Sequence, residues 1–161
     1  MNEHDRVKKR LEKTAIDLFL TNYNKITKKN YILLRQQEIP DAIIIDDEGF
    51  KLGLEITHLF YDSTEAKMLL GRTENIEHKI EDINKLIDRL NRLLKKKRLI
   101  GPSYITEHPC ILLVRNASPI FHISDFKENI DKIKIPKGVF KEIWLLTRDP
   151  IRFKWSLIKL R

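Results

Sequence analysis

The chain has 161 residues, 42% hydrophobic and 34% charged, which is long enough for a single domain, 1–161, with its own core. The formal net charge of +8 favours a polyanionic partner, with nucleic acid first and an anionic membrane surface second. A single cysteine, Cys110, excludes an internal disulfide. Neither a secretory signal nor a run of about 20 apolar residues is evident. We therefore expect a soluble cytoplasmic protein without a membrane partner.

Hydrophobic periodicity predicts nine elements in the order α-β-β-β-α-β-α-β-β. In chain order they cover about residues 5–23, 31–34, 39–45, 50–57, 64–98, 110–114, 124–133, 143–146 and 153–160. This order predicts a mixed β-sheet flanked by helices, an α/β (α+β) fold, with a core of about 5–115 and a C-terminal extension of about 116–161. Phe153, Trp155 and Leu157 are expected to alternate into the core along the last strand.

The first helix carries an acid on its apolar side. On a helical wheel at about 100° per residue, Glu12 falls between Ile16 and Phe19, inside or at the edge of the apolar arc. A carboxylate in that position is a candidate site residue.

Two further acids stand in the most hydrophobic strands, on either side of an acidic turn that ends at Gly49. If the turn has three residues, Asp41 lies directly opposite Glu55 on the same face, about 4.5–5.5 Å apart at Cβ. Two like charges so placed require a proton or a cation between them, and a divalent ion such as Mg²⁺ is the direct answer. A two-residue turn would slip the register and separate the acids. Alternatively, Asp41 simply begins a strand at a wet end of the sheet.

Pro40-Asp41 followed by Glu55-Ile56-Thr57 resembles the signature of the PD-(D/E)XK nuclease superfamily, whose restriction-endonuclease-like core is a helix, three antiparallel strands, a helix and another strand. The resemblance covers about two-thirds of the chain. It implies a DNA endonuclease that uses Mg²⁺ or Mn²⁺ for phosphodiester hydrolysis. Asp41 and Glu55 would be the metal ligands, and Glu12 an outer-shell or second-metal ligand.

The chain departs from that signature at Thr57, where the family usually has the lysine that stabilises the transition state. The resemblance implies a substitute lysine: Lys67, early in the second helix, is the preferred candidate, and Lys51 on the third strand is the other. If neither serves, the alternative is a catalytically inactive nuclease-fold protein that binds nucleic acid or a protein partner.

The long helix ends in a dense basic run that is a candidate for phosphate contact. Its members are Arg89, Arg92, Lys95, Lys96, Lys97 and Arg98. Cations also complement the carboxyl end of a helix without any ligand. The apolar stripe of the same helix, from Ile76 to Leu94, favours packing on the domain's own sheet and leaves a homodimer through residues 73–98 as the alternative.

Overall fold

The computed structural model describes residues 2–60, 82–101 and 107–161. Its helices and strands are α1 (Glu3–Thr27), β1 (Ile32–Gln36), β2 (Ala42–Ile45), β3 (Lys51–Leu59), α2 (Ile83–Ile100), β4 (Cys110–Asn116), α3 (Ile123–Glu128), β5 (Glu142–Asp149) and β6 (Lys154–Lys159), with a 3₁₀ turn at Ile130–Lys132.

The strands form one six-stranded sheet in the order β1-β2-β3-β4-β5-β6. The β1–β2, β2–β3 and β5–β6 pairs are antiparallel, whereas β3–β4 and β4–β5 are parallel. The predicted mixed α+β fold is therefore confirmed, and the described elements follow the predicted order. The part of the predicted long helix that precedes residue 82 lies outside the described residues. Within the described residues, no helix is long and apolar enough to span a membrane.

Alternation along the strands divides the core into one layer on each face of the sheet. On β4, Ile111 and Leu113 join the layer that includes α1, and Leu112 and Val114 join the layer that includes α2. All of β4 is buried, as is typical of a parallel strand covered on both faces.

The apolar stripe of α2 packs in the domain's own core. Leu86, Ile87, Leu90 and Leu94 are at most 2% exposed and lie with β3, β4 and β5 residues in one cluster. Their spacing of three and four residues keeps them on one side of the helix. The described part of the stripe is thus occupied, as the packing interpretation predicts, and homodimerisation stays a prediction.

The prediction that Phe153 lies in the core is wrong. Phe153 is 94% exposed, with a φ of 53°, because the turn after β5 continues through it and β6 begins only at Lys154. Trp155 and Leu157 do pack against the α1-side layer.

The β2–β3 hairpin has the register that the three-residue turn predicts. Ile45 pairs with Lys51 and Ile43 with Gly53, so one further step outward sets Asp41 opposite Glu55. Buried Asp46 holds the turn, because its Oδ1 accepts hydrogen bonds from the backbone N–H groups of Glu48 (2.9 Å) and Phe50 (2.8 Å). This aspartate turn fixes the loop length and hence the pairing of the two acids.

Candidate active site

The side chains of Asp41 and Glu55 each accept a hydrogen bond from a backbone N–H on the other side of the hairpin. The backbone N–H of Asp41 donates to Glu55 Oε1 at 3.3 Å, and the N–H of Ile56 donates to Asp41 Oδ2 at 2.7 Å. The two side chains also share a hydrogen bond, and Glu55 is only 4% exposed. The hairpin therefore holds the carboxyl groups in contact, as the register predicts.

This contact changes the chemistry of Asp41. Burial, the hydrogen bond to Glu55 and the charge of Glu55 raise the pKa of Asp41 to about 8, and the Ile56 N–H opposes them only in part. At neutral pH the aspartate thus retains a proton that it donates to Glu55. The proton removes the charge of Asp41 and with it the repulsion between the two acids.

A lysine from α2 completes the cluster. Lys97 Nζ lies 3.3 Å from Glu55 Oε2, and the side chains are 16% and 5% exposed. The sequence predicts Lys97 as one of six phosphate contacts, but the structure directs it inward at Glu55. Helical spacing carries the signal, because Lys97 follows buried Leu94 by three residues and Leu90 by seven.

Of the two predicted substitute lysines, the structure describes only Lys51, and Lys51 does not approach the acids. Lys51 is exposed at the start of β3, four residues or about 13 Å from Glu55 along the strand. Lys67 lies outside the described residues. Thr57 is buried, on the same face of β3 as Glu55.

Glu12 approaches the acid pair from α1, as predicted. Glu12 is 7% exposed. Burial raises its pKa, and the charge of Glu55 contributes to the increase, whereas the charges of Lys8 and Lys9 oppose it. Glu12 and Asp41 line one cleft of about 460 Å³. The cleft is also lined by Asp5, Lys8, Lys9, Gln37 and Glu38.

The donor set at this site is a pair of carboxylates. Among residues 2–60, 82–101 and 107–161, no three side chains of His, Cys, Asp or Glu converge closely enough to hold a metal ion. Two carboxylates with water in the remaining positions fit the coordination that Mg²⁺ prefers, provided that Asp41 gives up its proton. Glu12 is not a third ligand in this geometry.

Gly53, which the sequence analysis does not single out, lets the chain around Asp41 approach β3. A Cβ on Gly53 would lie 2.8 Å from Pro40 Cγ and 3.4 Å from Cys110 Sγ. Any side chain there would displace Pro40 and with it Asp41. Burial, together with the charge of Glu55, raises the pKa of the Cys110 thiol to about 12, which leaves it unreactive.

The basic run on α2 divides among different directions because successive residues lie about 100° apart on a helix. Arg89, Arg92 and Lys96 form one row that lines a cleft of about 370 Å³ beside the end of β3. Lys97 turns toward Glu55, and Arg98 lines a separate groove with residues 136–140. Only part of the predicted phosphate-contacting set is therefore arranged as one surface.

The family model described as Osmosensory transporter coiled coil matches residues 61–111, about a third of the chain. No curated protein and no solved structure matches the chain. The matched segment includes all of α2, whose apolar residues recur at the three- and four-residue spacing of a coiled coil. In this structure the described part of that stripe packs on the sheet.

Proposed function

We propose that the chain is a metal-dependent phosphodiesterase, a DNA endonuclease of the PD-(D/E)XK type that uses Mg²⁺ or Mn²⁺. The observation that carries this proposal is the contact between Asp41 and Glu55, together with the Lys97 ammonium 3.3 Å from Glu55 Oε2. The element order from α1 to β4 supports it, because it is the order of the nuclease core. The C-terminal extension contributes β5 and β6, which continue the same sheet beyond β4.

Each residue of the cluster would have a separate task in hydrolysis. Asp41 would release its proton to solvent and, with Glu55, would hold the divalent ion. When bound, that ion supplies a water of lowered pKa and an electrophile for the scissile phosphate. Lys97 supplies the positive charge that Thr57 cannot, and it stabilises the negative charge that develops on the phosphate oxygens.

The surface next to the cluster offers contacts for a nucleic-acid backbone. Arg89, Arg92 and Lys96 line the cleft at the end of β3, the strand that carries Glu55. Lys8 and Lys9 lie on the wall of the cleft that Asp41 and Glu12 share. Cations in the cleft of Asp41 and in the cleft at the end of β3 suit a polyanionic strand.

The test is cleavage of plasmid DNA by the purified chain with Mg²⁺ or Mn²⁺. We expect nicking by the wild-type chain, no activity in Asp41→Ala and Glu55→Ala, and a decrease in kcat of about 10²–10³-fold in Lys97→Met. Lys85→Met is the matched control, because Lys85 is an exposed lysine of the same helix that lies outside the basic run. Activity that survives in both acid variants, with circular dichroism showing intact folding, refutes the proposal.

A second candidate is a nuclease-fold protein that binds nucleic acid without cleaving it. Two observations favour it: Thr57 replaces the signature lysine, and Glu55 already has a cationic partner in Lys97. This candidate predicts salt-sensitive DNA or RNA binding that does not require a divalent ion. Neutralisation of Arg89, Arg92 and Lys96 should then weaken binding, while Asp41→Ala leaves it unchanged.

A further inference from the structure

Arg115, at the end of β4, is a buried cation that has no counter-charge among the residues that the structure describes. It is 8% exposed, and its Nε and Nη1 atoms are shielded from water. Among the residues that the structure describes, neither nitrogen has a hydrogen-bond partner and no carboxylate pairs with the guanidinium. An arrangement of this kind is costly unless a ligand satisfies it.

The groups around Arg115 include a second cation, Arg148, and a buried imidazole, His58. Trp155 lies next to two guanidinium groups, with the Cζ atoms of Arg115 and Arg148 each 5.1 Å from its ring centroid. Burial, followed by the charge of Arg148, lowers the pKa of Arg115. His58 is the strand neighbour of Arg115, and its Nδ1 is also buried and, within the described ranges, unpartnered. Burial and the charges of Arg115 and Lys8 lower the pKa of His58 to about 4.

The cation–π contact with Trp155 leaves the Nε and Nη1 atoms of Arg115 without a hydrogen-bond acceptor among the described residues. A guanidinium donates its hydrogen bonds in its own plane, in a fork that matches an oxyanion. Arg148 shares the Trp155 ring with Arg115, and His58 is paired with Arg115 across β3 and β4, so both groups lie near the Arg115 guanidinium and are available to the same ligand. A tetrahedral oxyanion with several acceptor oxygens is the chemistry that satisfies them.

We propose that Arg115, Arg148 and His58 form a binding site for a phosphate group on the α1 face of the sheet. Because the Arg115 nitrogens are shielded, the anion enters by displacing a neighbouring side chain, and exposed Arg148 and Lys8 are able to move. The ligand is either a phosphate monoester, such as a free or terminal phosphate, or an internal phosphodiester.

This site is separate from the carboxylate pair. His58 follows Glu55 by three residues, about 10 Å along β3, and its side chain is on the opposite face of the strand. Lys8 lies between the two regions, since it lines the cleft of Asp41 and Glu12 and its charge also lowers the pKa of His58. Phosphate binding here requires neither a divalent ion nor cleavage.

The first experiment follows the His58 imidazole by NMR and the thermal midpoint, with inorganic phosphate against chloride at equal ionic strength and in EDTA. We expect phosphate to raise the pKa of His58 and the thermal midpoint. Arg115→Gln and Arg148→Gln should each weaken phosphate binding at least tenfold. Arg152→Gln, which alters an exposed arginine on the β5–β6 turn, is the matched control and should bind as the wild type does.

Arg148→Gln keeps the test decisive if Arg115→Gln does not fold, because Arg148 is exposed. Identical His58 titrations in phosphate and chloride, or undiminished binding in Arg148→Gln, would overturn the proposal. A second arm compares an oligonucleotide with and without a 5′-phosphate: protection of His58 by the phosphorylated form alone identifies a monoester, and protection by both that is lost in Arg148→Gln identifies a phosphodiester at this site. Because His58 also lines the cleft of Arg89, Arg92 and Lys96, protection that persists in Arg148→Gln belongs to that cleft and overturns the proposal. Asp41→Asn should respond to phosphate as the wild type does, which distinguishes this site from the proposed nuclease centre.

Discussion

Asp41→Asn should make the protein more stable at alkaline pH while it removes the proposed metal site. The asparagine amide has the shape of a protonated aspartate, so its N–H can donate to Glu55 and its oxygen can accept the 2.7 Å hydrogen bond from the Ile56 N–H. The substitution therefore preserves the hydrogen bonds of the pair and abolishes the repulsion.

The size of the effect follows from the proton that Asp41 retains on folding. The pKa of Asp41 rises from an ordinary value of 3.8 to about 8, so the folded state binds this proton more tightly than the unfolded state does. The resulting stabilisation is complete below pH 3.8 and is lost as the pH rises through 8. At about 1.4 kcal/mol for each pH unit, the ceiling is about 6 kcal/mol. Because Asp41 is only partly buried, we expect a loss of about 2–3 kcal/mol.

Urea unfolding in EDTA, followed by tryptophan fluorescence from pH 5 to pH 9, measures this loss. The wild-type free energy of unfolding should fall with pH, and Asp41→Asn should not show that fall, so the variant becomes the more stable protein above about pH 8. Asp17→Asn, which alters an exposed aspartate paired with Lys13, is the control and should follow the wild type. A flat wild-type profile, or a variant less stable than the wild type at pH 9, would show that the two carboxyl groups do not share a proton.

Two further predictions concern the same hairpin. Binding of Mg²⁺ at pH 7 should release about one proton, because Asp41 must ionise before it can coordinate the ion. Calorimetry in buffers of different ionisation enthalpy measures the number of protons released. A number near zero at pH 7 would contradict the role of Asp41 as a ligand. Gly53→Ala should lower the free energy of unfolding by about 1–3 kcal/mol, since the new Cβ meets Pro40 Cγ at 2.8 Å, and a urea midpoint equal to that of the wild type would contradict the close approach.

The pairing of the acids was predictable because it depends on local rules. Strand alternation fixes the faces, and an acidic turn of three residues fixes the register, so Asp41 and Glu55 meet without any information about the rest of the fold. Glu12 follows from helical periodicity in the same way.

The contact of Lys97 with Glu55 was not predictable to the same degree, because it joins residues 42 positions apart. Helical spacing places Lys97 at the buried edge of α2, but the tilt and position of α2 on the sheet decide which strand residue it meets. The exposure of Phe153 was missed for a different reason: residues 151–153 remain in the turn, so the alternation begins later than the aromatic pattern predicts.

The coiled-coil match has a physical explanation in α2. A stripe with three- and four-residue spacing is compatible both with a second helix and with a sheet, and periodicity does not distinguish the two. In the described part of the matched segment, Leu86, Ile87, Leu90 and Leu94 are buried against the sheet. A coiled coil through these residues would have to expose the α2-side core, so a self-associating surface is better sought elsewhere.

The charges of the cluster suit a phosphodiester only when a divalent ion is bound. At neutral pH Asp41 is neutralised by its proton and the ammonium of Lys97 offsets the Glu55 carboxylate, so the resting cluster is close to neutral. Exchange of that proton for a divalent ion adds one net positive charge, which matches the single negative charge of a phosphodiester. In the proposed nuclease, Lys97 is the residue that makes this balance possible, because Thr57 carries no charge. Lys97→Met should therefore weaken DNA binding in Mg²⁺ more than it weakens binding in EDTA, a difference that a lysine acting only as a structural partner of Glu55 would not produce.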